Sequence, residues 1–486
     1  MNKPTSKVIW TSKDAAAATG GQNTVDWSAM GVSIDTRTLK SGDLFVALLG
    51  EHGDGHKYVR DALARGAAAA LVSHVPEGVA DSAPLLIVKN TLEALRALGV
   101  AARARTAAKI IGVTGSVGKT GTKEMLSAAF GALGQTHASK ASHNNHWGVP
   151  LSLSGMHAGC DFGIFEIGMN HPGEIVPLTK QVRPDLAIIT IIAPVHLGNF
   201  KSLEEIADAK AEIFEGMEKG GIVLLNRDNE WFVHLKKRAE DRGLRILSFG
   251  EQDADACFKE CLEAANGTRI KADVMGEEVK FTLLIPGRHI AVNALSVLLA
   301  VKVFGGDLKA AARALESIQP IVGRGKREYI DIGDPKNPVT LIDESYNASP
   351  VAMRAAFKVL ALVDPGRGGR RIAVLGDMYE LGKDEARLHK ELGLPLQAAG
   401  VNLVYTCGPL MRNLYDALPP PQRGAHEDDS ADMAKIVPDV LVPGDVVMVK
   451  GSRGGGEKPR MQVIVEAVRT LPERLRKKDR KSEGSV

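Results

Sequence analysis

The chain has 486 residues, which suggests about three domains, and its 44% hydrophobic and 24% charged residues are typical of a folded globular protein rather than a disordered one. Its 61 lysines and arginines nearly balance its 58 aspartates and glutamates, so no basic field indicates nucleic acid as the main partner. The cysteines are scattered and the N-terminus is unlike a signal peptide, which together predict a cytoplasmic protein. No run of ~18 apolar residues occurs, so no membrane span is predicted.

The order of elements along the chain predicts an α/β fold. Short apolar runs at 44–49, 68–72 and 85–88 indicate a small α/β unit, and an Ala-rich helix over 92–108 leads out of it. Strands are then predicted at 109–113, 162–167, 186–192 and 222–225, with a helix at 119–132 after the first. A second alternation starts near residue 328, with strands at 339–342, 372–375, 403–406 and 446–449 and a helix that begins at Ser349-Pro350.

These elements predict three domains. They are a small N-terminal α/β domain (1–108), a central P-loop ATPase-type α/β domain (109–322) and a C-terminal Rossmann-like α/β domain (323–486). From about residue 474 the chain is charged and poor in apolar residues, which favours a disordered basic tail over a specific partner site.

A glycine-containing loop follows the strand at 109–113 and opens the next helix. Its backbone amides and the helix N-terminus can converge on phosphate oxygens, a cationic side chain can reach the β- and γ-phosphates, and a hydroxyl can ligate Mg²⁺. The residues are Gly115, Ser116, Val117, Gly118, Lys119 and Thr120. The commonest form of this motif has a further glycine at the position of Val113, so the loop is a shortened variant. It predicts binding of ATP or GTP, but motors, switches and transporters carry such loops too.

Three further side chains are candidates for the same site. Glu166 ends one predicted strand and His196 follows another, where each could hold Mg²⁺; the alternatives are a carboxylate that caps a turn and a structural histidine. Lys210 lies within the apolar stripe of a predicted helix at 202–218. A buried lysine is unfavourable unless it is paired or modified, and the alternative is a stem that extends to solvent.

Taken together, the ordered motifs resemble those of the Mur ligases of peptidoglycan synthesis over nearly the whole chain. The matching segments are SIDTR (33–37), GDLFVAL (42–48), DGH (54–56), the phosphate loop (114–120), NN (144–145), GVPL (148–151), EIGMN (166–170), APVH (193–196), AKAE (209–212), PGRH (286–289) with Asn293, Gly323-Arg324, DESYNASP (343–350) and GDM (376–378).

The resemblance implies roles for individual residues. Lys119 is implied as a catalytic phosphate contact, and Lys210 as a lysine that is carbamylated and then holds the second of two Mg²⁺ ions. The metal ligands would be Thr120, Glu166, His196 and Lys210, with His196 and Lys210 also counted as catalytic. The ATP contacts would be the loop residues 115–120 with Asn293, Arg324 and Asp343. The residues that hold the nucleotide-sugar peptide would be Asp35, Thr36, Arg37, Asn144 and Asn145, which would make residues 1–108 the UDP-sugar-peptide-binding domain.

Within the family, the chain is most similar to the branch that joins D-alanyl-D-alanine to UDP-N-acetylmuramoyl-tripeptide through an acyl phosphate. The Asp-Asn-Pro-Arg motif of the diaminopimelate-adding branch does not occur in it. The glycine-rich loop at 454–459 has no assigned role, and we expect a monomer. The rival predictions are a nucleotide-driven switch or motor, a folate polyglutamate ligase and another Mur branch.

Overall fold

The structure is a computed structural model that describes residues 8–50, 53–140, 142–453 and 460–483, with side chains as far as residue 477. The glycine-rich loop at 454–459 lies outside the described residues. The chain divides into two compact units. The first contains the residues up to 192 together with 204–257 and 293–311, and the second contains 193–203, 258–292 and the residues from 312 onward. Three main sheets follow one another along the chain, and the predicted α/β class is confirmed.

The N-terminal segment folds around a small, mainly parallel sheet with the order β2-β9-β8-β5-β4. One face of it packs on a core that contains Trp10, Leu44, Leu71 and Leu95. Its strands are β1 (Trp10–Thr11), β2 (Gln22–Asn23), β3 (Ser28–Ala29), β4 (Gly31–Ser33), β5 (Asp43–Val46), β6 (Leu49–Gly50), β7 (Gly53–Asp54), β8 (Ala69–Val72) and β9 (Leu85–Ile87), and its helices are α1 (Ser12–Thr19), α2 (Val59–Ala64) and α3 (Thr91–Ala104).

The central segment contains six parallel strands in the order β11-β12-β10-β13-β14-β15, and β16 pairs with β15. Strand β10 lies between β12 and β13, so the loops after these strands open at one carboxyl edge, where α/β sheets bind ligands. The strands are β10 (Lys109–Thr114), β11 (Thr136–Ala138), β12 (Phe162–Glu166), β13 (Leu186–Ile189), β14 (Ile222–Asn226), β15 (Arg245–Gly250), β16 (Ala256–Ala264), β17 (Gly267–Val274) and β18 (Glu277–Leu283). The helices are α4 (Lys119–Gly131), α5 (Gly148–Ser154), α6 (Ile175–Val182), α7 (Leu203–Ala211), α8 (Phe232–Asp241), α9 (Arg288–Val303) and α10 (Leu308–Leu315).

The C-terminal segment has a sheet with the order β19-β20-β24-β21-β22-β23, in which only the edge strand β19 is antiparallel. Apolar cores cover both faces, as a parallel sheet requires. The strands are β19 (Lys326–Ile330), β20 (Val339–Glu344), β21 (Arg371–Gly376), β22 (Leu403–Cys407), β23 (Arg423–Glu427) and β24 (Val446–Lys450). The helices are α11 (Pro350–Ala361), α12 (Glu385–Lys390), α13 (Gly393–Ala398), α14 (Arg412–Ala417), α15 (Ser430–Val440), α16 (Gln462–Arg469) and α17 (Leu471–Glu483).

Two predicted elements differ from the structure in kind, while others differ at their ends: the strand predicted at 186–192 ends at Ile189, and the helix predicted at 92–108 ends at Ala104. The helix predicted over 202–218 is α-helical only to Ala211 and continues as a 3₁₀ turn, Glu212–Gly216. The Thr179 hydroxyl donates to the Ile213 carbonyl (2.8 Å), and this side-chain bond competes with the helical ladder.

The second difference is the C-terminal tail. The prediction of disorder from about residue 474 is wrong as far as Glu483, because helix α17 covers this stretch. Leu471 is buried and Leu475, one turn later, packs against the same core, while Arg474 pairs with Asp439 (3.0 Å). An apolar pair at i and i+4 anchors a helix that its charged composition alone does not indicate.

Candidate functional site

The predicted phosphate loop joins β10 to α4, and its glycines adopt conformations that other residues avoid. Gly115 has φ +142° and Gly118 has φ +89°. A Cβ atom on Gly115 would lie 2.0 Å from the Thr190 hydroxyl oxygen, so no side chain fits there. That hydroxyl donates to the Val117 carbonyl (2.6 Å), and the Ser116 amide donates to the Ile191 carbonyl (2.8 Å). The loop is therefore held in a fixed shape by the end of the neighbouring strand β13.

The first two residues of α4 carry the predicted phosphate and metal contacts. The Lys119 ammonium lies across the loop and donates to the carbonyls of Gly115 (2.6 Å) and Ser116 (3.3 Å). The buried Thr120 hydroxyl lies 3.4 Å from the Ser142 hydroxyl. Asn293 lies beside the same loop, because a Cβ atom on Gly118 would be 2.7 Å from its amide nitrogen. The location agrees with the predicted nucleotide site, while the adenine contact of Asn293 stays a prediction.

Glu166 occupies the end of β12, in register with Val113 of β10, so it lies next to the start of the loop. Its side chain is only 1% exposed. Oε1 accepts a hydrogen bond from the Asn144 amide (2.7 Å), whereas Oε2 is buried and has no hydrogen-bond partner in the described part of the chain. A buried carboxylate oxygen without a donor is unfavourable, and a bound cation would satisfy it. This observation fits the predicted Mg²⁺ ligand better than a turn cap.

Lys210 on α7 is 1% exposed, which contradicts the alternative in which its stem reaches solvent. Burial lowers the pKa of its amine well below the usual value, and the positive charge of Lys119 lowers it further, against the opposing effect of Glu212 and Glu174. A neutral amine is the form that reacts with carbon dioxide to give a carbamate. The residues present therefore fit carbamylation, although neither the carbamate nor a metal is part of the structure.

Among the described residues, no three His, Cys, Asp or Glu side chains lie close enough together to hold a metal ion. The predicted donor set differs from such a cluster, because it draws on a threonine hydroxyl, one carboxylate, one imidazole and a modified lysine. Lys119, Thr120, Glu166, Lys210 and Asn293 all belong to the first unit.

The predicted nucleotide-sugar-peptide residues have structural partners. Arg37 is exposed and pairs with Asp35 (2.7 Å), and this pair lowers the pKa of the Asp35 carboxyl. The Thr36 carbonyl accepts from Arg65 (3.3 Å), and Asn145 accepts the Gly148 amide (2.9 Å) at the start of α5. Their substrate contacts stay predictions.

The three remaining predicted residues belong to the second unit. Buried Asp343 accepts the amides of Gly323 and Ser345 (both 3.1 Å), so it shapes the turn that carries Arg324. The Arg324 guanidinium lies 4.2 Å above the Tyr346 ring. His196 is 27% exposed, and its Nδ1 contacts the carboxylate of Glu380. The ATP contacts of Arg324 and Asp343 and the metal contact of His196 stay predictions.

Sequence reasoning missed several side chains that support the site. Thr190 holds the phosphate loop, Glu212 accepts the Gly173 amide (2.6 Å) near Lys210, and Glu380 contacts His196. Thr190 and Glu380 lie outside the matching segments, and Glu212, although it ends the AKAE segment at 209–212, was given no role. Glu380 is 184 residues from its partner. Only the closeness of Glu380 to the GDM segment at 376–378 could have indicated it.

Within the described ranges, no helix combines the length and apolar character that crossing a membrane requires.

Three protein-family models match the chain: "Mur ligase family, catalytic domain" at 29–103, "Mur ligase middle domain" at 113–301 and "Mur ligase, glutamate ligase domain" at 330–453. The domain limits predicted above, at 108 and 322, remain predictions.

Similar proteins extend over almost the whole chain. A UDP-N-acetylmuramoyl-tripeptide–D-alanyl-D-alanine ligase of Rickettsia prowazekii is 34% identical, over 92% of this chain and 98% of its own length. A crystal structure of MurF from Acinetobacter baumannii is 28% identical with a TM-score of 0.81, covering 95% of this chain and 98% of that one. A structure of MurF ligase from Thermotoga maritima in complex with ADP is 25% identical with a TM-score of 0.74, covering 91% and 98%.

Proposed function

Because the chain belongs to the Mur ligase family, we propose that it uses ATP to join D-alanyl-D-alanine to UDP-N-acetylmuramoyl-tripeptide, a step of peptidoglycan precursor synthesis. Relatives of that name match it over most of their length, and the related ligase bound to ADP supports an adenine nucleotide as the energy source. A switch or motor would leave the match outside the phosphate-loop segment unexplained.

One observation of the structure supports the proposed chemistry. The phosphate-loop lysine Lys119, the carboxylate of Glu166 and the desolvated amine of Lys210 belong to a single unit. One buried oxygen of Glu166 has no hydrogen-bond partner among the described residues, and a metal ion would stabilise it. The positive charge of Lys119 adds to the effect of burial in lowering the pKa of Lys210, and groups with such perturbed pKa values are typical of functional sites.

In the proposed reaction, an oxygen of the tripeptide carboxylate attacks the γ-phosphorus of ATP, and the bond to ADP breaks. The amine of D-alanyl-D-alanine then attacks the carbonyl carbon of the acyl phosphate. The C–O bond breaks, phosphate leaves with its electron pair, and the nitrogen loses a proton as the amide forms. Lys119 and the loop amides stabilise charge that develops on the transferred phosphoryl group.

Thr120, Glu166, His196 and the carbamate of Lys210 would hold Mg²⁺, which supplies further positive charge beside the phosphates when it is bound. Formation of the carbamate joins the Lys210 nitrogen to carbon dioxide and releases one proton. It turns the neutral amine that burial favours into an anion that a metal can pair. Asn144 would orient Glu166 through the hydrogen bond to Oε1.

The test is phosphate release from ATP with a panel of acceptors. We expect release only when UDP-N-acetylmuramoyl-tripeptide and D-alanyl-D-alanine are both present, with the pentapeptide product detected by mass spectrometry. Release without any peptide would support the switch or motor. A requirement for glutamate with a folate, or for another amino acid with a shorter precursor, would assign the chain to one of the other ligases.

The compartment and assembly state belong to the same proposal. None of the four cysteines, all of which lie in the described ranges, forms a disulfide, which is compatible with the reducing cytoplasm. We propose that the enzyme acts there as a monomer.

A further inference from the structure

The loop that carries His196 is held by a segment far away in sequence. Both belong to the second unit: the loop is residues 193–203, and the holding segment follows strand β21. The Gly198 amide donates to the Glu380 carbonyl (3.0 Å), and Leu197 packs against the apolar core that contains Met378 and Leu381. The position of the His196 backbone is therefore set by residues about 180 positions later.

The backbones of the two segments lie close together at Gly198 and Gly382. A Cβ atom on Gly382 would lie 3.2 Å from the Cα atom of Gly198, and Gly382 has φ +64°. His196 (φ +56°) and Glu380 (φ +65°) both adopt the left-handed conformation although neither is a glycine. Non-glycine residues in this region are unfavourable and persist where the surroundings impose them, often at functional sites. Here the two residues that adopt it are in direct contact.

That contact joins Nδ1 of His196 to a carboxylate oxygen of Glu380. A carboxylate at neutral pH accepts hydrogen bonds and cannot donate them, so Nδ1 must carry the proton. In the neutral form of the imidazole, the lone pair is then on Nε2. A histidine that binds a metal generally donates its other ring N–H to a carboxylate or carbonyl in this way, which fixes the tautomer and the ring orientation.

We propose that Glu380 is a positioning residue that prepares His196 Nε2 to bind the divalent cation used in the reaction. This inference rests on the proposed function, because it takes the predicted metal role of His196 as given. Glu380 acts through His196 and binds neither the metal nor a substrate itself. Its effect is to hold one tautomer and one ring orientation before the cation arrives.

The first experiment observes the imidazole directly. The protein is labelled with ¹⁵N-histidine, and the His196 signals among the 13 histidines are identified by their loss in His196→Gln. In wild type we expect His196 to carry its proton on Nδ1. Glu380→Ala should shift the proton toward Nε2, and Glu380→Gln, which keeps a hydrogen-bond acceptor, should fall between the two. An unchanged tautomer in Glu380→Ala would overturn the proposal.

The second experiment measures cation binding with Mn²⁺ alone, from the broadening of the His196 signals. Loss of an outer-shell partner typically weakens metal binding by about 10- to 100-fold, so Glu380→Ala should need at least ~10-fold more Mn²⁺ than wild type. The Mg²⁺ concentration for half-maximal phosphate release should rise in parallel, with the KM for D-alanyl-D-alanine unchanged. Glu385→Gln removes a carboxylate from the start of α12 and is the matched control, for which we expect wild-type values.

The outcomes separate this inference from the proposed function. If His196→Gln leaves the cation requirement unchanged, the metal role of His196 is wrong, and the proposal falls with it. If His196→Gln raises the requirement but Glu380→Ala does not, the positioning role alone is wrong. Equal losses in Glu380→Gln and Glu380→Ala with an unchanged tautomer would make Glu380 a direct ligand and also overturn the proposal. Melting temperatures of each variant show whether the fold is intact.

Discussion

Lys210 gives the most specific prediction, because its burial affects both the stability of the folded protein and the activity of the enzyme. In the substitution Lys210→Met the side chain keeps its length and loses its amine. Lys210 is 1% exposed, and burial is the largest cause of its lowered pKa. The wild-type chain must therefore fold with an amine that water no longer solvates, and the variant does not carry this penalty.

The magnitude follows from proton linkage. The pKa of Lys210 is 10.5 in the unfolded chain and lies well below this value in the folded protein, so below pH 10.5 the unfolded state binds the extra proton. Releasing it at pH 8 costs up to about 3.5 kcal/mol for a fully neutral amine, at ~1.4 kcal/mol per pH unit. In buffer free of carbon dioxide, Lys210→Met should therefore be more stable than wild type by up to about 3.5 kcal/mol at pH 8. The difference should shrink as the pH approaches 10.5, because the unfolded chain then no longer binds the proton.

The assay is denaturant unfolding at several pH values, with phosphate release measured on the same samples. Lys219→Met, on the surface, is the matched control and should change neither quantity. Lys210→Met should be nearly inactive in spite of its greater stability, and Lys210→Ala should regain activity with a small added carboxylate. A variant that is active, or one whose stability advantage is absent at every pH, would refute the reasoning.

Three further predictions concern the loop and a buried histidine. Lys119→Ala should lower kcat by a factor on the order of 10³ in the phosphate-release assay, because a transition-state charge contact is lost. Gly115→Ala should weaken ADP binding about 10- to 100-fold by calorimetry, since strain of about 1–3 kcal/mol falls on the loop. His137→Gln should make the free energy of unfolding less sensitive to acid. Burial lowers the pKa of His137 from 6.5 to about 4, so wild type loses up to ~1.4 kcal/mol of stability per pH unit as pH falls through this window, measured by unfolding.

Each of these predictions has an outcome that contradicts it. Near-normal turnover of Lys119→Ala would remove that lysine from the mechanism. For Gly115→Ala the control is Gly121→Ala in helix α4, which follows the loop. A Cβ atom at Gly121 meets nothing within 4 Å, so this variant should leave binding unchanged. Equal ADP affinities of these two variants would contradict the argument from loop shape. Wild type and His137→Gln with parallel acid profiles would show that His137 is not the titrating group.

The parts of the site that are local in sequence could be predicted from it. The loop glycines, Lys119 and Thr120 are consecutive, and a strand before them with a helix after them fixes their geometry. The helical spacing placed Lys210 among apolar neighbours but left open whether its stem reaches solvent, and the structure shows that the side chain is buried. Ser349 caps α11 with Pro350 in the first turn, as the sequence indicated.

The parts that depend on distant contacts could not be predicted. Thr190 holds the phosphate loop, although nothing near it in sequence resembles a phosphate contact. The 3₁₀ turn after Ala211 is set by a threonine on another helix. Glu380 and His196 are 184 residues apart, and the hydrophobic pattern of each segment gives no information about a contact between them. Such contacts follow from the way the chain packs, which one-dimensional patterns do not encode.

Isotope transfer tests the central claim most directly. The terminal carboxylate of UDP-N-acetylmuramoyl-tripeptide is labelled with ¹⁸O on both oxygens, and the products formed with ATP and D-alanyl-D-alanine are analysed by mass spectrometry. An acyl phosphate predicts one ¹⁸O atom in the released phosphate and one in the new amide. Phosphate without ¹⁸O would contradict the account, because the carboxylate oxygen would then never have been bonded to phosphorus.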